Sequence, residues 1–127
     1  MSSVYLDTHA AVFLHDGLIE EFSMEARRQM EANDLLISPM VLLEFDYLFQ
    51  RKKIRITARD LFATLNASFA VELCGFSFVG VANEALDIRW TNDPFDRLIV
   101  AHARANDTSV LITRDRLIRK NYPAAVW

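Results

Sequence analysis

The sequence is poor in the residues that hold small folds together without a core. It has one cysteine, Cys74, in 127 residues. No internal disulfide and no cysteine-rich zinc site is possible, and this usage suits a reducing compartment. Glycine and proline number three each, too few for a disordered or low-complexity chain. No apolar run reaches the ~20 residues of a membrane span. The start lacks a basic segment followed by a long apolar stretch, so no signal peptide is expected. These absences make the cytoplasm the expected location. Positive charge is also in short supply, with a net charge of −3. Binding of nucleic acid by bulk electrostatics is therefore disfavoured, and such a partner would need a local basic patch or a metal ion. Neither GxGxxG nor GxxxxGK[ST] occurs, nor a GxSxG elbow. Asp7 is followed two places on by His9 rather than by a second aspartate, which weakens a phosphatase built on paired aspartates.

What is present reads as one globular domain. The chain is 52% hydrophobic and 24% charged, and at this length it buries roughly two-thirds of its unfolded surface. Val4–Leu6, Leu35–Ile37, Phe69–Leu73 and Ser109–Ile112 read as buried strands, with a last extended piece near Val126. Between them fall helix candidates. One opens at Asp7-Thr8, and one spans residues 17–33. Another runs from Pro39 to about Arg51 behind the Ser38-Pro39 start signal. Thr57 and Asp60 open a helix through about Asn66. Further helices cover about Phe76–Asp87, the stretch from Asp93-Pro94 to Asn106-Asp107, and about Asp115–Asn121. Strands alternating with helices predict an α/β fold with a parallel sheet.

Four acids each lie just past an apolar run or in a charged helix start: Asp7, Glu44, Asp96 and Asp115. Residues past the carboxyl ends of parallel strands gather on one edge of the sheet. Gathered carboxylates repel; at ~4 Å a like-charge pair costs about 4 kcal/mol at an effective dielectric of 20. Such a group calls for a cation or a shared proton. Oxygen-only donors suit Mg²⁺ or Mn²⁺. Each acid also has a simpler reading. Asp7, Asp93 and Asp115 can cap helices, with Asp96 completing a capping box behind Asp93. Glu44 lies beyond the first turn of its helix and has no capping role. His9, His15 and His102 lack ligand spacing, and Cys74 reads as a core thiol. Arg97, Arg114 and Arg116 neighbour the acids and can hold phosphate oxygens or neutralise them. The run Arg51-Lys52-Lys53-Ile54-Arg55, with Arg59, can follow a phosphate backbone or end a helix in solvent.

The segment Asp93-Pro94-Phe95-Asp96-Arg97-Leu98-Ile99-Val100-Ala101-His102-Ala103 closely resembles the DPFDR segment of PIN-domain ribonucleases, in particular VapC-type toxins. Val4 to His9, Ser38 through Glu44, and Leu111 to Asp115 match the family's other landmarks in order and spacing. The resemblance implies a three-layer α/β/α sandwich around a mainly parallel sheet. It implies that Asp7, Glu44, Asp96 and Asp115 bind Mg²⁺ or Mn²⁺, with Asp93 as an accessory. It makes Thr113, Thr8 and Ser38 the groups that orient carboxylates or water. It further implies cleavage of RNA, a homodimer, and a cognate antitoxin that holds the protein inactive. The chain departs from the pattern at Leu43, where the family often has Trp. It departs again at Trp90-Thr91-Asn92, where a His often precedes the DPFDR segment. The rivals are a binding module whose acids are caps and surface groups, and a metal-dependent phosphatase.

Overall fold

The computed structural model describes residues 2–127. The chain forms β1 (Ser3–Leu6), α1 (Thr8–His15), α2 (Met24–Ala32), β2 (Asp34–Ile37), α3 (Pro39–Gln50) and α4 (Ala58–Phe69). It continues through β3 (Glu72–Leu73), α5 (Phe78–Ala85), α6 (Pro94–Ala105), β4 (Val110–Ile112), α7 (Arg116–Asn121) and β5 (Ala125–Val126). The five strands make one sheet, ordered β3-β2-β1-β4-β5. Every pairing is parallel. Successive strand residues point to opposite faces, yet Val4, Tyr5 and Leu6 are all buried, as are Leu111 and Ile112. Both faces of the sheet are therefore covered by helices, which is why its central strands read as unbroken apolar runs.

The strand order fixes where a site can form. The chain leaves β1 toward β2 and β3, then returns to place β4 on the other side of β1. The direction of winding reverses between β1 and β4. The carboxyl ends of those two strands flank the crevice that such a reversal opens.

Helix starts follow the capping chemistry expected of them. Ser38 accepts from the Met40 N–H with Pro39 at the first position of α3, and Thr57 accepts from the Asp60 N–H. Two elements differ from expectation. Residues 17–33 are not one helix. Gly17 adopts φ +74°, a 3₁₀ turn spans Ile19–Glu21, and Ser23 caps a separate α2 by accepting from the Ala26 N–H. Phe22 between them is extended and buried, so its ring anchors the break. The run Phe69–Leu73 is not one strand. Phe69 ends α4, Ala70 closes it in the left-handed region, and only Glu72–Leu73 pair with β2. Residues 76–87 form a helix only over Phe78–Ala85. Cys74 is buried beside the Tyr5 hydroxyl at 2.8 Å, as a core thiol. No helix of the described residues is long and apolar enough to cross a membrane.

Candidate active site

The acids converge on one cleft of about 420 Å³ at the winding reversal. Asp7 follows β1 and caps α1. Its Oδ1 accepts from the Ala10 N–H at 2.8 Å, and its Oδ2 accepts from the Thr113 hydroxyl. Asp115 follows β4 and caps α7, accepting from the Ile118 N–H at 2.9 Å. Its own N–H donates to Thr113 Oγ1 at 3.1 Å. Thr113 thus ties the two acids together, and the Asp7 N–H donates to the Ile112 carbonyl at 3.1 Å to fix the strand ends. Capping and convergence turn out to be the same fact. A cap sits at the start of a helix, and here those starts are the carboxyl edge of the sheet.

Asp93 caps α6 by accepting from the N–H groups of Phe95 and Asp96. The expected capping box does not close. The Asp93 N–H donates to Thr91 Oγ1 at 3.2 Å, and the Asp96 carboxylate faces the cleft instead. Glu44 reaches the same cleft from the second turn of α3, where the Thr8 hydroxyl donates to it.

Crowding of the carboxylates shows in their electrostatics. Burial, and then the charges of Asp93, Asp115, Glu44 and Asp7, push the Asp96 carboxyl up to about 7. Burial pushes Asp7 up to about 6, against the pull of its hydrogen bonds from Thr113 and Ala10. Burial also raises Glu44, opposed by Thr8. Among the described residues, none of these acids is in an ion pair. The donor set is carboxylate and hydroxyl oxygen, the chemistry of a hard divalent cation. It fits such an ion in kind. In position it is open: among the described residues, no three His, Cys, Asp or Glu groups stand spaced to hold one ion.

Arg114 lines the cleft, whereas Arg97 and Arg116 do not. Arg97 is a correction to expectation: its Nη2 donates to the Ala85 carbonyl at 3.0 Å, and its Nε is buried without a partner. It joins α6 to α5. Arg116 is exposed on the first turn of α7. Ser38 is also away from the acids, buried beneath α3 with its Oγ 2.8 Å from His102 Nδ1. The basic run 51–59 leaves α3 at the end opposite Ser38, about 18 Å along a helix of 12 residues. His9 and Phe13 line the cleft, and nothing in their sequence context singled them out. Four residues apart, they share one face of α1.

The sequence matches the PIN domain family over residues 4–122. The chain belongs to that family. A comparison with curated proteins returns no match. Solved structures give the same fold at low identity. VapBC2 from Rickettsia felis, bound to a DNA fragment from its promoter, is 18% identical with a TM-score of 0.66, covering 98% of this chain and 96% of that one. DNA-bound VapBC from Salmonella typhimurium is 20% identical with a TM-score of 0.66, covering 99% and 96%. A toxin–antitoxin complex from Klebsiella pneumoniae is 19% identical with a TM-score of 0.61, covering 98% and 96%. The three-layer arrangement expected from the DPFDR resemblance is the PIN-domain fold seen here.

Proposed function

We propose that this PIN domain is a metal-dependent endoribonuclease and the toxin of a toxin–antitoxin pair. The observation that carries the reading is the cleft itself: Asp7, Glu44, Asp93, Asp96 and Asp115 line one space, and among the described residues none of them is in an ion pair. Asp7, Asp96, Glu44 and Asp115 would hold Mg²⁺ or Mn²⁺, with Asp93 in support. A bound divalent ion acidifies water and stabilises charge on an attacked phosphate.

The chain's own groups supply the rest. Thr113 holds the Asp7 carboxylate through Oδ2 while the Ala10 N–H holds Oδ1, so the carboxylate cannot rotate. Thr8 donates to one oxygen of Glu44. Without a metal, burial and the neighbouring carboxylates push Asp96 up to about 7, and a bound divalent ion would bring it back down; one carboxylate of the set would accept the proton of an attacking water. Water adds to phosphorus, the bond to the ribose 3′ oxygen breaks, and that oxygen leaves as a hydroxyl. The products are a 5′-phosphate and a 3′-hydroxyl. The ribose 2′-hydroxyl takes no part, so no cyclic phosphate forms.

The structural neighbours are toxin–antitoxin assemblies, which supports an antitoxin as partner. Exposed Leu43 and Tyr47 on α3, and Phe78 and Val79 on α5, offer apolar surface for it and for a second copy of the chain. The function is tested by incubating purified protein with single-stranded RNA in Mg²⁺, with and without chelator, and analysing the product ends. Chelator-sensitive cleavage leaving 5′-phosphates is expected. Chelator-resistant cleavage, or 2′,3′-cyclic ends, would refute the mechanism.

A further inference from the structure

Arg114 is the one arginine or lysine among the described residues that line the cleft. It shares the cleft with five acids, yet none lies within ion-pair distance of it. Two aromatic rings hold it instead. Its guanidinium carbon is 5.8 Å from the Phe13 ring centre and 5.9 Å from that of Trp127. The two rings are 5.7 Å apart, so the three groups form a near-equilateral triangle. Both rings back the guanidinium from one side.

The fold builds this arrangement deliberately in register. β4 pairs with β5 so that Ile112 lies beside Val126, and the Thr113 N–H donates to the Val126 carbonyl at 2.9 Å. One step further along the register Thr113 lies beside Trp127, and Arg114 follows within reach of the indole. Phe13 arrives from the second turn of α1, the helix that Asp7 caps. Trp127 is in turn wedged on buried Phe22 at 4.7 Å between ring centres. The support is therefore rigid, while Arg114 itself is exposed. Its N–H edge makes no hydrogen bond among the described residues and stays available to a ligand.

We propose that Arg114, backed by Phe13 and Trp127, is the seat for an RNA phosphate adjacent to the one that is cut. The inference rests on the nuclease reading and deepens it. A fixed, planar, five-donor cation suits a phosphodiester oxygen pair. Backing by rings removes rotamer freedom before the ligand arrives, so less entropy is lost on binding. It also explains how an acidic chain holds a polyanion at this cleft: one positive charge is kept clear of the acids.

The test is fluorescence anisotropy with a short, labelled single-stranded RNA of mixed sequence in Mn²⁺. Asp96→Asn serves as the non-cutting background. Adding Arg114→Ala is expected to weaken binding roughly tenfold to a hundredfold, the worth of one charged hydrogen-bonded contact. The slope of log affinity against log salt should fall by about one. Trp127→Leu keeps the charge but removes the backing, so affinity should drop several-fold with the slope unchanged. Trp127→Phe should recover most of that loss, and a thermal melt of Trp127→Leu that matches the background protein excludes a folding defect as the cause. If Arg114→Ala changes neither affinity nor slope while the background protein binds RNA, the seat is wrong and the nuclease reading stands. If the wild type neither binds nor cuts RNA in Mn²⁺, both fall.

Discussion

Asp7→Asn should make the metal-free protein more stable while removing its activity. Asp7 is 7% exposed and carries a carboxyl pushed up from 3.8 to about 6. A rise of that size means the folded state disfavours the charged form by about 3 kcal/mol. The sign follows from the order of the two values. The folded group binds its proton more tightly than the unfolded one, so the cost is fully present above about pH 7 and is relieved below about pH 4. Asparagine cannot ionise and so escapes the cost. It caps a helix about as well as aspartate and can keep the Ala10 hydrogen bond. The Thr113 hydroxyl loses its acceptor, which costs about 1 kcal/mol. The net expectation is a gain of about 2 kcal/mol at pH 8 in chelator, or roughly 5–10 °C in Tm. At pH 4 the gain should vanish, leaving the variant slightly less stable. Thermal and urea denaturation of both proteins across this pH range give the answer. A variant that is less stable at pH 8 in chelator, or a difference that does not vary with pH, would show that the buried Asp7 charge carries no such cost.

Other outcomes follow from the same geometry. Thr113→Val removes a buried hydroxyl that serves both Asp7 and Asp115; we expect a loss of about 1–3 kcal/mol in urea denaturation and at least a tenfold loss of cleavage. Arg97→Ala cuts the link to the Ala85 carbonyl and should cost about 1–2 kcal/mol of stability while leaving RNA affinity by anisotropy unchanged. Mn²⁺ at a hundred times its dissociation constant should stabilise the wild type by about 2.7 kcal/mol; in Asp96→Asn, calorimetry should show little binding and the melting curve little shift.

The sequence was most legible where local chemistry decides. Strands β1, β2 and β4 appear as short apolar runs because helices cover both faces of the sheet. The caps Asp7, Ser38, Thr57, Asp93 and Asp115 are legible because each bonds to backbone within three residues. Where packing decides, it was not. Periodicity carried 17–33 as one helix, since nothing local shows that Phe22 must leave the helical path to reach the core. The apolar run Phe69–Leu73 hid the left-handed turn at Ala70. Arg97 was expected beside the acids because it follows Asp96, but successive helical residues point about 100° apart. Asp96 enters the cleft and Arg97 turns to α5. Trp127 could not be connected to Arg114 from the sequence at all, because the β4–β5 register brings them together. Among the acids, order along the chain sufficed to collect the set, whereas their lack of neutralising partners needed coordinates.

Asp96 is where the proposal of a carboxylate cleft that cuts RNA with a divalent ion can be put to the sharpest trial. It has no capping duty for its carboxylate, so Asp96→Asn should leave the fold intact by circular dichroism. The measurement is the rate of single-stranded RNA cleavage in Mg²⁺ by the wild type and this variant side by side. A loss of at least about a hundredfold is expected, the upper end of what even a hydrogen-bonding partner of a metal ligand is worth. A folded Asp96→Asn protein cutting at the wild-type rate would contradict it.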